Sequence, residues 1–394
     1  MAKVTAPCLS LSAKGSINKK LVFQKRPSGH AVFWNKGHAD VKSGGQTTVR
    51  NRFLKIKNAW IVLTDEQKAV YNEEAEEYTK RGQPMTGYNL FLKKYTTSPY
   101  ASLWMEQRPK GDVTGRWLSV GMSDDGTKFI AIDFWGRLYT FDGVEWMEHQ
   151  PAGDIEEYWY CCAISADGTK FIAGAINGRL WTFDGVEWME QRPAGDINAF
   201  WYCCAISADG TKFIAGASAG RLWTYDGANW TEQRPAGDFD FDWNACSISA
   251  DGTKFIAGIY FGRLWTYDGA TWTEQRPAGD EDRWWHGSGM SDDGTKFIAS
   301  DSSGRLWTYD GATWTEQRPI GDVGARWYSC AISADGTKFI AGDYDGRLWT
   351  YDGATWTEQR PAGDEDFVWY DCAISADGTK FIAGINIGRL YTYG

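Results

Sequence analysis

The side chains that could do chemistry in this chain are few. Its 394 residues include four histidines, His30, His38, His149 and His286. An enzyme needs several unique polar groups that converge in a pocket, and of the four only His286 adjoins a variable stretch of sequence. No phosphate-binding loop, zinc motif or nucleophile elbow is present. We therefore interpret the chain as non-enzymatic, with no catalytic residue, and we expect no metal and no cofactor.

Arginine and cysteine recur at fixed spacing. Gly-Arg-Leu occurs seven times, from Arg137 to Arg389, and copies spread through an array favour a structural role. Seven of the eight cysteines fall in one type of predicted strand, and two pairs are vicinal (Cys161-Cys162 and Cys203-Cys204). This spacing is typical neither of metal sites nor of ordinary disulfides, so we interpret these thiols as small core residues. Free thiols suit the cytoplasm or a virion. No signal peptide is recognisable, non-classical export stays open, and the compartment is not determined.

A 42-residue repeat positions these side chains from about residue 101 to residue 394. Asp-Gly-Thr-Lys-Phe begins at Asp125, Asp167, Asp209, Asp251, Asp293, Asp335 and Asp377. Each unit predicts four short strands, which in one copy are 327–333, 338–341, 347–351 and 355–359. Asp-Gly turns join the first strand to the second and the third to the fourth. No helix-length apolar periodicity occurs within the unit, so we favour a β-propeller over a helical solenoid.

The predicted fold is mainly β. A seven-bladed β-propeller of 42-residue repeats occupies residues 98–394, and a small domain with a hairpin and helices occupies residues 1–97. Residues 102–108 match the fourth strand of the repeat, while the chain stops after a third strand at 390–394. We expect strand 102–108 to close the last blade, which would leave no free blade edge within the ring.

The repeat resembles those of WD40-type propellers. The resemblance rests on Ala-Ile-Ser-Ala-Asp-Gly-Thr-Lys-Phe-Ile-Ala-Gly at 331–342 and Asp-Gly-Arg-Leu-Trp-Thr-Tyr-Asp at 345–352. Thr-Tyr-Asp-Gly-Ala-Thr-Trp at 308–314 is also similar to the Asp-box of sialidase-type propellers. Both resemblances imply the propeller fold over residues 101–394. Neither implies an activity, because a fold does not determine a function.

Two windows of each repeat vary strongly between copies. One precedes the constant Trp of the first strand, and the other precedes Gly-Arg-Leu. In an up-and-down meander both windows lie at the end opposite the Asp-Gly turns. Their aromatic, Asp, Asn and Ser content is typical of binding loops, and we favour a binding face over neutral drift of exposed loops. The candidate ligand-binding residues are Arg116, Phe134, Trp135, Tyr158, Phe200, Phe241, Tyr260, Phe261, Trp284, His286, Tyr344 and Asp345.

Charge divides the chain unevenly. The net charge is −10, yet residues 1–100 hold 17 Lys and Arg against 7 Asp and Glu, whereas residues 101–394 hold 24 against 44. The N-terminal part should therefore meet an anionic partner, which could be another copy's propeller, nucleic acid or a membrane surface. The candidate anchoring, assembly or nucleic-acid residues are Lys19, Lys20, Lys25, Arg26, Arg50, Arg52, Lys55 and Lys57. No apolar run is long enough to predict a transmembrane segment.

The N-terminal domain is predicted to contain a β-hairpin at 20–36 and helices at about 47–63, 65–80 and 87–95. The stretch from Phe53 through Trp60 to Ala75 resembles the middle of an HMG-box. Residues 85–92 are similar to the ending of small phage- and prophage-associated proteins. The resemblance implies binding to the DNA minor groove through the basic positions from Arg50 to Lys57. We slightly favour an assembly or anchoring module, because the helix after Thr64 is acidic, and keep nucleic acid as an alternative for residues 1–97 only.

Two functions follow from these observations. The first is a structural protein in which the basic module mediates self-association or anchoring and displays the acidic propeller, as in a filament, a coat or a phage- or virion-associated surface component. A head-to-tail contact that does not close would generate a helical polymer. The alternative is a recognition propeller that binds a glycan or protein through its variable face and is tethered by a DNA- or particle-binding module.

Overall fold

The structure is a computed structural model that describes residues 15–17, 21–26, 29–34, 60, 65–80, 83–97, 104–153, 157–176, 178–196, 198–321, 325–344, 346–363 and 366–394. The chain divides into two compact units, residues 1–103 and residues 104–394.

The first unit contains a small antiparallel sheet and two helices. The strands are Gly15–Ile17 (β1), Leu21–Arg26 (β2) and Gly29–Trp34 (β3), in the order β1-β2-β3. The helices are Asp65–Lys80 (α1) and Gly87–Thr97 (α2). Trp60 and Tyr71 both pack on the buried ring of Phe91, with centroids 5.3 and 5.1 Å away. Neither of these helices has the length and apolar character needed to cross a membrane.

The second unit is mainly β and consists of repeated four-stranded antiparallel sheets, as the repeat predicts. It opens with Trp104–Gln107 (β4). Sheet 1 contains Trp117–Met122 (β5), Phe129–Asp133 (β6), Leu138–Phe141 (β7) and Trp146–His149 (β8). Sheet 2 contains Tyr158–Ile164 (β9), Phe171–Ile176 (β10), Leu180–Phe183 (β11) and Trp188–Gln191 (β12). Sheet 3 contains Phe200–Ile206 (β13), Phe213–Ser218 (β14), Leu222–Tyr225 (β15) and Trp230–Gln233 (β16). Sheet 4 contains Trp243–Ile248 (β17), Phe255–Gly262 (β18), Leu264–Tyr267 (β19) and Trp272–Gln275 (β20).

The remaining sheets follow the same plan. Sheet 5 contains Arg283–Met290 (β21), Phe297–Asp301 (β22), Arg305–Tyr309 (β23) and Trp314–Gln317 (β24). Sheet 6 contains Trp327–Ile332 (β25), Phe339–Asp343 (β26), Leu348–Tyr351 (β27) and Trp356–Gln359 (β28). Sheet 7 contains Trp369–Ile374 (β29), Phe381–Ile385 (β30) and Leu390–Tyr393 (β31), and its fourth strand is β4, which pairs with β31.

The constant Asp-Gly-Thr-Lys string joins neighbouring sheets. In sheet 3, the Asp209 carboxylate accepts hydrogen bonds from the Ser207 hydroxyl at 2.6 Å and the Thr211 backbone N–H at 3.0 Å, which fixes the turn. Lys212 Nζ then donates to the Asp251 carbonyl of sheet 4 at 2.8 Å. The corresponding bond from sheet 7 joins Lys380 to the carbonyl of Asp125 in sheet 1. Lysine is therefore constant because it binds the next repeat.

A series of backbone bonds runs beside these lysines. The Asp124 N–H donates to the Ala166 carbonyl at 2.9 Å, and equivalent bonds continue from sheet to sheet until the Ala376 N–H donates to the Asp124 carbonyl at 2.9 Å. Because each bond joins one repeat to the next, the first strands are tied together at the end of the sheets that carries the Asp-Gly turns.

The fourth strands are linked by a second set of contacts. Trp272 Nε1 donates to Gln233 Oε1 at 3.0 Å, and Gln233 Nε2 donates to Thr224 Oγ1 at 2.9 Å. His149 occupies the glutamine position in sheet 1, where its Nε2 lies 2.7 Å from Thr140 Oγ1 and its Nδ1 accepts from Trp188 Nε1 at 3.4 Å. Burial lowers the pKa of His149, so the neutral imidazole replaces the amide as donor and acceptor.

Tryptophan fills the space between sheets. The constant Trp of the first strand is almost fully buried in every repeat: Trp117, Trp159, Trp201, Trp243, Trp285, Trp327 and Trp369. Gly174 of sheet 2 makes room for one of them, because a Cβ there would lie 2.7 Å from the Cβ of Trp201. Such large buried rings dominate core energetics, which explains why the repeat keeps this residue constant.

Candidate ligand-binding site on the variable face

The two variable windows of a repeat lie side by side. In sheet 1, the Phe134 N–H of the second window donates to the Arg116 carbonyl of the first at 2.9 Å. In sheet 4, the Tyr260 N–H donates to the Asp242 carbonyl at 2.8 Å. Both windows connect strands at the end opposite the Asp-Gly turns, and together they form the surface that we call the variable face.

Sheets 4 and 5 are joined on this face by an added ladder. Strand β18 continues to Gly262 and pairs with the start of β21, with Tyr260 opposite Trp284 and Gly262 opposite Arg283. At the corresponding seams elsewhere in the described residues there are isolated bridges: Gly178 with Ala199, Gly220 with Phe241 and Gly115 with Gly388. The ladder therefore gives this seam a more regular backbone for displaying side chains.

Three large aromatic side chains are exposed on the ladder. The rings of Tyr260 and Trp284 are nearly parallel, with an interplanar angle of 12° and centroids 6.0 Å apart, and Phe261 lies 6.4 Å from Trp284. Their exposed fractions are 40%, 42% and 64% respectively. Phe261 has a left-handed φ of 59°, and Ala219 and Ile387 are also left-handed at the same position of their repeats, so this conformation, which costs a bulky residue about 1–3 kcal/mol, belongs to the turn before Gly-Arg-Leu. We call these three residues the aromatic platform.

A second aromatic group lies at the seam between sheets 1 and 2. Phe134 contacts Tyr158, with centroids 5.4 Å apart. The Arg116 guanidinium stacks over Phe134 at 4.5 Å and Trp135 at 5.3 Å, and Arg116 Nε donates to Asn386 Oδ1 at 2.9 Å. Trp135 is 57% exposed. These contacts fix the Arg116 side chain against the aromatic rings.

The other candidate residues differ in exposure. Phe200 is exposed. Phe241 is half-buried against Trp243, with centroids 6.3 Å apart, and its backbone bonds to Gly220, so its main contacts are structural. Tyr344 is half-buried beneath the Arg326 guanidinium, 4.2 Å from its ring. Asp345 lies outside the described residues.

The Gly-Arg-Leu arginines hold the loops of the variable face. Arg263 Nη1 donates to the Gly279 carbonyl at 3.0 Å and Nη2 to the Asp280 carbonyl at 2.6 Å. Its Nε lies 3.0 Å from the Asp282 carboxylate. Equivalent bonds from Arg389 reach the carbonyls of Gly111 and Val113. This geometry agrees with a structural role, because the guanidinium is occupied by backbone acceptors of a neighbouring loop.

A β-bulge places one further residue of every repeat beside the central cavity. In each first strand the pairing with the second strand skips one residue, directly after the constant Trp. A bulge re-aims the side chain of the extra residue. The seven bulge residues, which we call the collar, are Leu118, Tyr160, Tyr202, Asn244, His286, Tyr328 and Tyr370.

Collar residues contact one another from sheet to sheet. The rings of Tyr160 and Tyr202 have centroids 4.7 Å apart, and the Tyr160 and Tyr370 hydroxyls are 3.4 Å apart. Tyr328 packs on Tyr370 at 5.4 Å and stacks on His286 at 4.2 Å. The collar also meets the variable face, because Tyr344 lies 4.6 Å from Tyr328 and Tyr260 lies 5.3 Å from His286.

His286 is uncharged in this environment. Burial lowers its pKa to about 4, so the imidazole is neutral near pH 7. Its Nδ1 lies 3.0 Å from Asn244 Nδ2; the amide nitrogen donates, and Nδ1 accepts. Burial also raises the pKa of Tyr160 and Tyr370, so both phenols keep their protons. The collar is consequently polar, aromatic and neutral.

The cavity at the collar has a volume of about 360 Å³ and is lined by the first strands of the repeats. Cysteines occupy much of its wall, and burial raises the pKa of Cys162, Cys204 and Cys372. Asp371 also lines it; its Oδ2 accepts from the Val120 N–H at 2.8 Å, and desolvation raises its pKa to about 6. The described residues contain no group of three or more His, Cys, Asp or Glu suited to a metal ion.

Of the collar residues, the sequence predicts only His286 as a candidate site residue. Tyr160, Tyr202, Tyr328 and Tyr370 fall within the predicted first strand of the repeat. A usable signal was present, because the residue after the constant Trp changes between Leu, Tyr, Asn and His while that Trp never changes.

The candidate anchoring residues are not placed. Lys25 and Arg26 lie in β2, and their side chains are not described. Lys19, Lys20, Arg50, Arg52, Lys55 and Lys57 lie outside the described residues. Comparison with protein-family models and with curated proteins found no match for this chain. The similarities to WD40, Asp-box and HMG-box sequences therefore stay resemblances, and the functional argument depends on geometry.

Proposed function

We propose that residues 104–394 form a closed seven-bladed β-propeller whose variable face recognises a ligand without catalysing a reaction. Closure is supported by the pairing of β4 with β31, by the backbone series that returns from Ala376 to Asp124, and by the bond from Lys380 to Asp125. Each seam then repeats one set of contacts, so the framework can hold variable residues without depending on their identity.

The aromatic platform is the observation that carries the recognition proposal. Tyr260, Phe261 and Trp284 present large rings to solvent on a paired backbone. Burial of exposed aromatic surface against a partner is favourable, because it removes that surface from water. Tyrosine and tryptophan also lose little side-chain entropy on binding, which makes them common anchors in interfaces. A glycan or a protein segment would satisfy this surface.

The test is a binding screen of the full chain against immobilised glycans and peptides, followed by isothermal titration calorimetry of each hit. Trp284→Ala and Tyr260→Ala should weaken binding at least tenfold, the range of an interface anchor. Val186→Ala is the matched control: Val186 is exposed beside a constant turn, and alanine is native there in other copies, as at Ala228. Full binding by both platform variants would overturn the proposal.

Self-assembly is a second candidate, and the charge of the constant turns favours it. Hydrogen bonds lower the pKa of the turn aspartates, including Asp209 and Asp226, so these carboxylates stay ionised. Sheet 3 places one constant lysine, Lys212, among two turn carboxylates, those of Asp209 and Asp226, so negative charge exceeds positive charge at these turns. A face with this acid excess suits the basic segment of another copy.

Assembly is tested by light scattering and the 260/280 nm absorbance ratio of full-length protein at low and high salt. Large particles that dissociate in salt and lack nucleic acid would support it. Charge reversal of Lys19, Lys20, Lys25 and Arg26 to Glu should abolish them. A monomer at low salt, or a species that carries nucleic acid, would contradict self-assembly and leave ligand recognition untouched.

A further inference from the structure

We propose that the collar binds an alkylammonium group, which enters the mouth of the central cavity from the variable face. The proposal rests on the recognition function above, because collar and variable face are in direct contact through Tyr344 and Tyr260. It adds the chemical class of the group that is recognised.

Aromatic rings are dense around this one cavity. Four tyrosines and one imidazole form an almost continuous series of ring contacts, from Tyr202 through Tyr160, Tyr370 and Tyr328 to His286. The face of an aromatic ring carries negative electrostatic potential and attracts cations. Several rings that share one small space are therefore suited to a compact organic cation.

The charged groups around the cavity favour a cation. The described residues that line the cavity include no lysine and no arginine, and their one carboxylate is Asp371. His286 is neutral, so it does not repel a cation. An anion would meet no compensating charge in this cavity and would face a net-acidic propeller, in which 24 Lys and Arg stand against 44 Asp and Glu. Electrostatics thus favours a cation over an anion of the same size.

The volume of the cavity and the acceptor oxygens of the collar also suit an alkylammonium group. A cavity of about 360 Å³ lies at the small end of ligand pockets, which suits one side-chain-sized group. Asn244 donates through Nδ2 to His286, so its carbonyl oxygen is an acceptor for an N–H group. The tyrosine hydroxyl oxygens add further acceptors. A methylated ammonium would use mainly the rings, and a primary ammonium would use these oxygens as well.

The test is calorimetry of the full-length protein with choline and with its uncharged isostere 3,3-dimethylbutan-1-ol. We expect choline to bind at least tenfold more tightly, because the isostere has the same shape without the charge. Tyr160→Leu and Tyr328→Leu should each weaken choline binding about tenfold. Leucine is native at the same bulge in sheet 1, as Leu118, which makes these substitutions compatible with the backbone.

Two further variants keep the test decisive. Tyr328→Phe retains the ring and should bind choline within a few-fold of the native chain, even if Tyr328→Leu does not fold. Val186→Ala lies away from the collar and should bind normally. Equal affinity for choline and its isostere, no choline binding, or unchanged binding by folded Leu variants would each overturn the proposal.

Two sources could supply the cation, and separate titrations distinguish them. Tighter binding of a trimethyl-lysine peptide than of choline would identify a protein side chain; the reverse order would identify a free small molecule. If the array screen yields an uncharged ligand that depends on Trp284 but not on Tyr328, the alkylammonium inference fails and the recognition function stands. If nothing depends on Trp284 while choline binds through the collar, the platform proposal fails alone.

Discussion

The Tyr160 and Tyr370 hydroxyls lie 3.4 Å apart although 210 residues separate them in the chain. They come from the first strands of sheets 2 and 7, and the collar residue of the intervening sheet 1 is Leu118. Leucine has no polar group to offer at this position, so the two tyrosines bond across it. Collar residues of non-adjacent repeats therefore reach one another across the cavity.

Asp371→Ser should stabilise the protein at neutral pH. Desolvation raises the folded pKa of Asp371 from 3.8 to about 6, so its favourable contribution is complete below pH 3.8 and is lost as the pH rises through 6. A shift of this size corresponds to roughly 3 kcal/mol. The equivalent residue of sheet 1 is a serine, Ser119, whose hydroxyl accepts a hydrogen bond from the Cys162 N–H at 3.2 Å. Urea denaturation at pH 4.5 and pH 8 measures the effect; an unchanged difference between variant and native protein at the two pH values would contradict it.

Gly252→Ala should cost more stability than Gly279→Ala. Both glycines have left-handed φ values, 68° and 73°, so both substitutions incur about 1–3 kcal/mol of backbone strain. An added Cβ at Gly252 would also lie 2.6 Å from Lys212 Cδ, whereas at Gly279 no atom lies within 4 Å. Thermal unfolding of the two variants isolates this clash. Adding Lys212→Ala to Gly252→Ala should reduce the clash without removing it, because the Cβ of residue 212 stays 2.9 Å from the added Cβ. Equal stability of Gly252→Ala and Gly279→Ala would show that the lysine gives way freely.

Gln233→Ala should destabilise the protein by about 1–3 kcal/mol, because it leaves Trp272 Nε1 and Thr224 Oγ1 without their shared partner. Gln233→His should cost less, since His149 performs the same two contacts in sheet 1. Chemical denaturation at pH 8 compares them. A histidine variant no better than alanine would refute the equivalence of the two side chains.

His149→Gln should improve stability in acid. Burial lowers the folded pKa of His149 below 6.5, so the histidine's contribution is present above pH 6.5 and is lost as the pH falls below that value. The melting temperatures of the native chain and the variant should therefore diverge between pH 7 and pH 5. Parallel curves over this range would exclude a buried neutral imidazole.

Trp104→Ala should cost about 3–5 kcal/mol of stability, and at least as much as Trp272→Ala, because Trp272 is only half-buried. Trp104 is 4% exposed, packs in sheet 7 and donates to Gln359 Oε1 at 3.2 Å, as Trp272 does to Gln233. The comparison tests whether β4 completes sheet 7 in solution. A near-neutral Trp104→Ala beside a costly Trp272→Ala would mean that it does not.

The regular part of the fold was accessible from sequence because its causes are local. Asp-Gly predicts a turn because glycine readily adopts the positive φ that the turn requires, as Gly210 does with a φ of 68°. Short runs of aromatic and small apolar residues, such as Phe213–Ser218, likewise predict strands. The function of the constant lysine was not accessible, because Lys212 acts on a carbonyl of the next repeat, and only the assembled sheets bring the two together.

The candidate site was accessible only in part for a similar reason. Exposed aromatics in variable windows, such as Trp284, can be found by comparing the seven copies. A bulge cannot, because it is a property of the pairing between two strands: Tyr202 becomes an extra residue only when Trp201 pairs with Ala217 and Cys203 with Gly216. Strand pairing also creates the ladder of β18 with β21 that carries the aromatic platform. Comparison of the repeats does not predict this ladder.

The bulge has a consequence for how such a protein can change. Each repeat contributes one collar residue. That residue takes no part in the lysine, glutamine or tryptophan contacts that hold neighbouring sheets together. Substitution of a single collar residue, or exchange of one whole repeat for another, would change the collar and leave the contacts between neighbouring sheets in place. Libraries randomised at Leu118, Tyr160, Tyr202, Asn244, His286, Tyr328 and Tyr370 would test whether these seven positions determine what the protein binds.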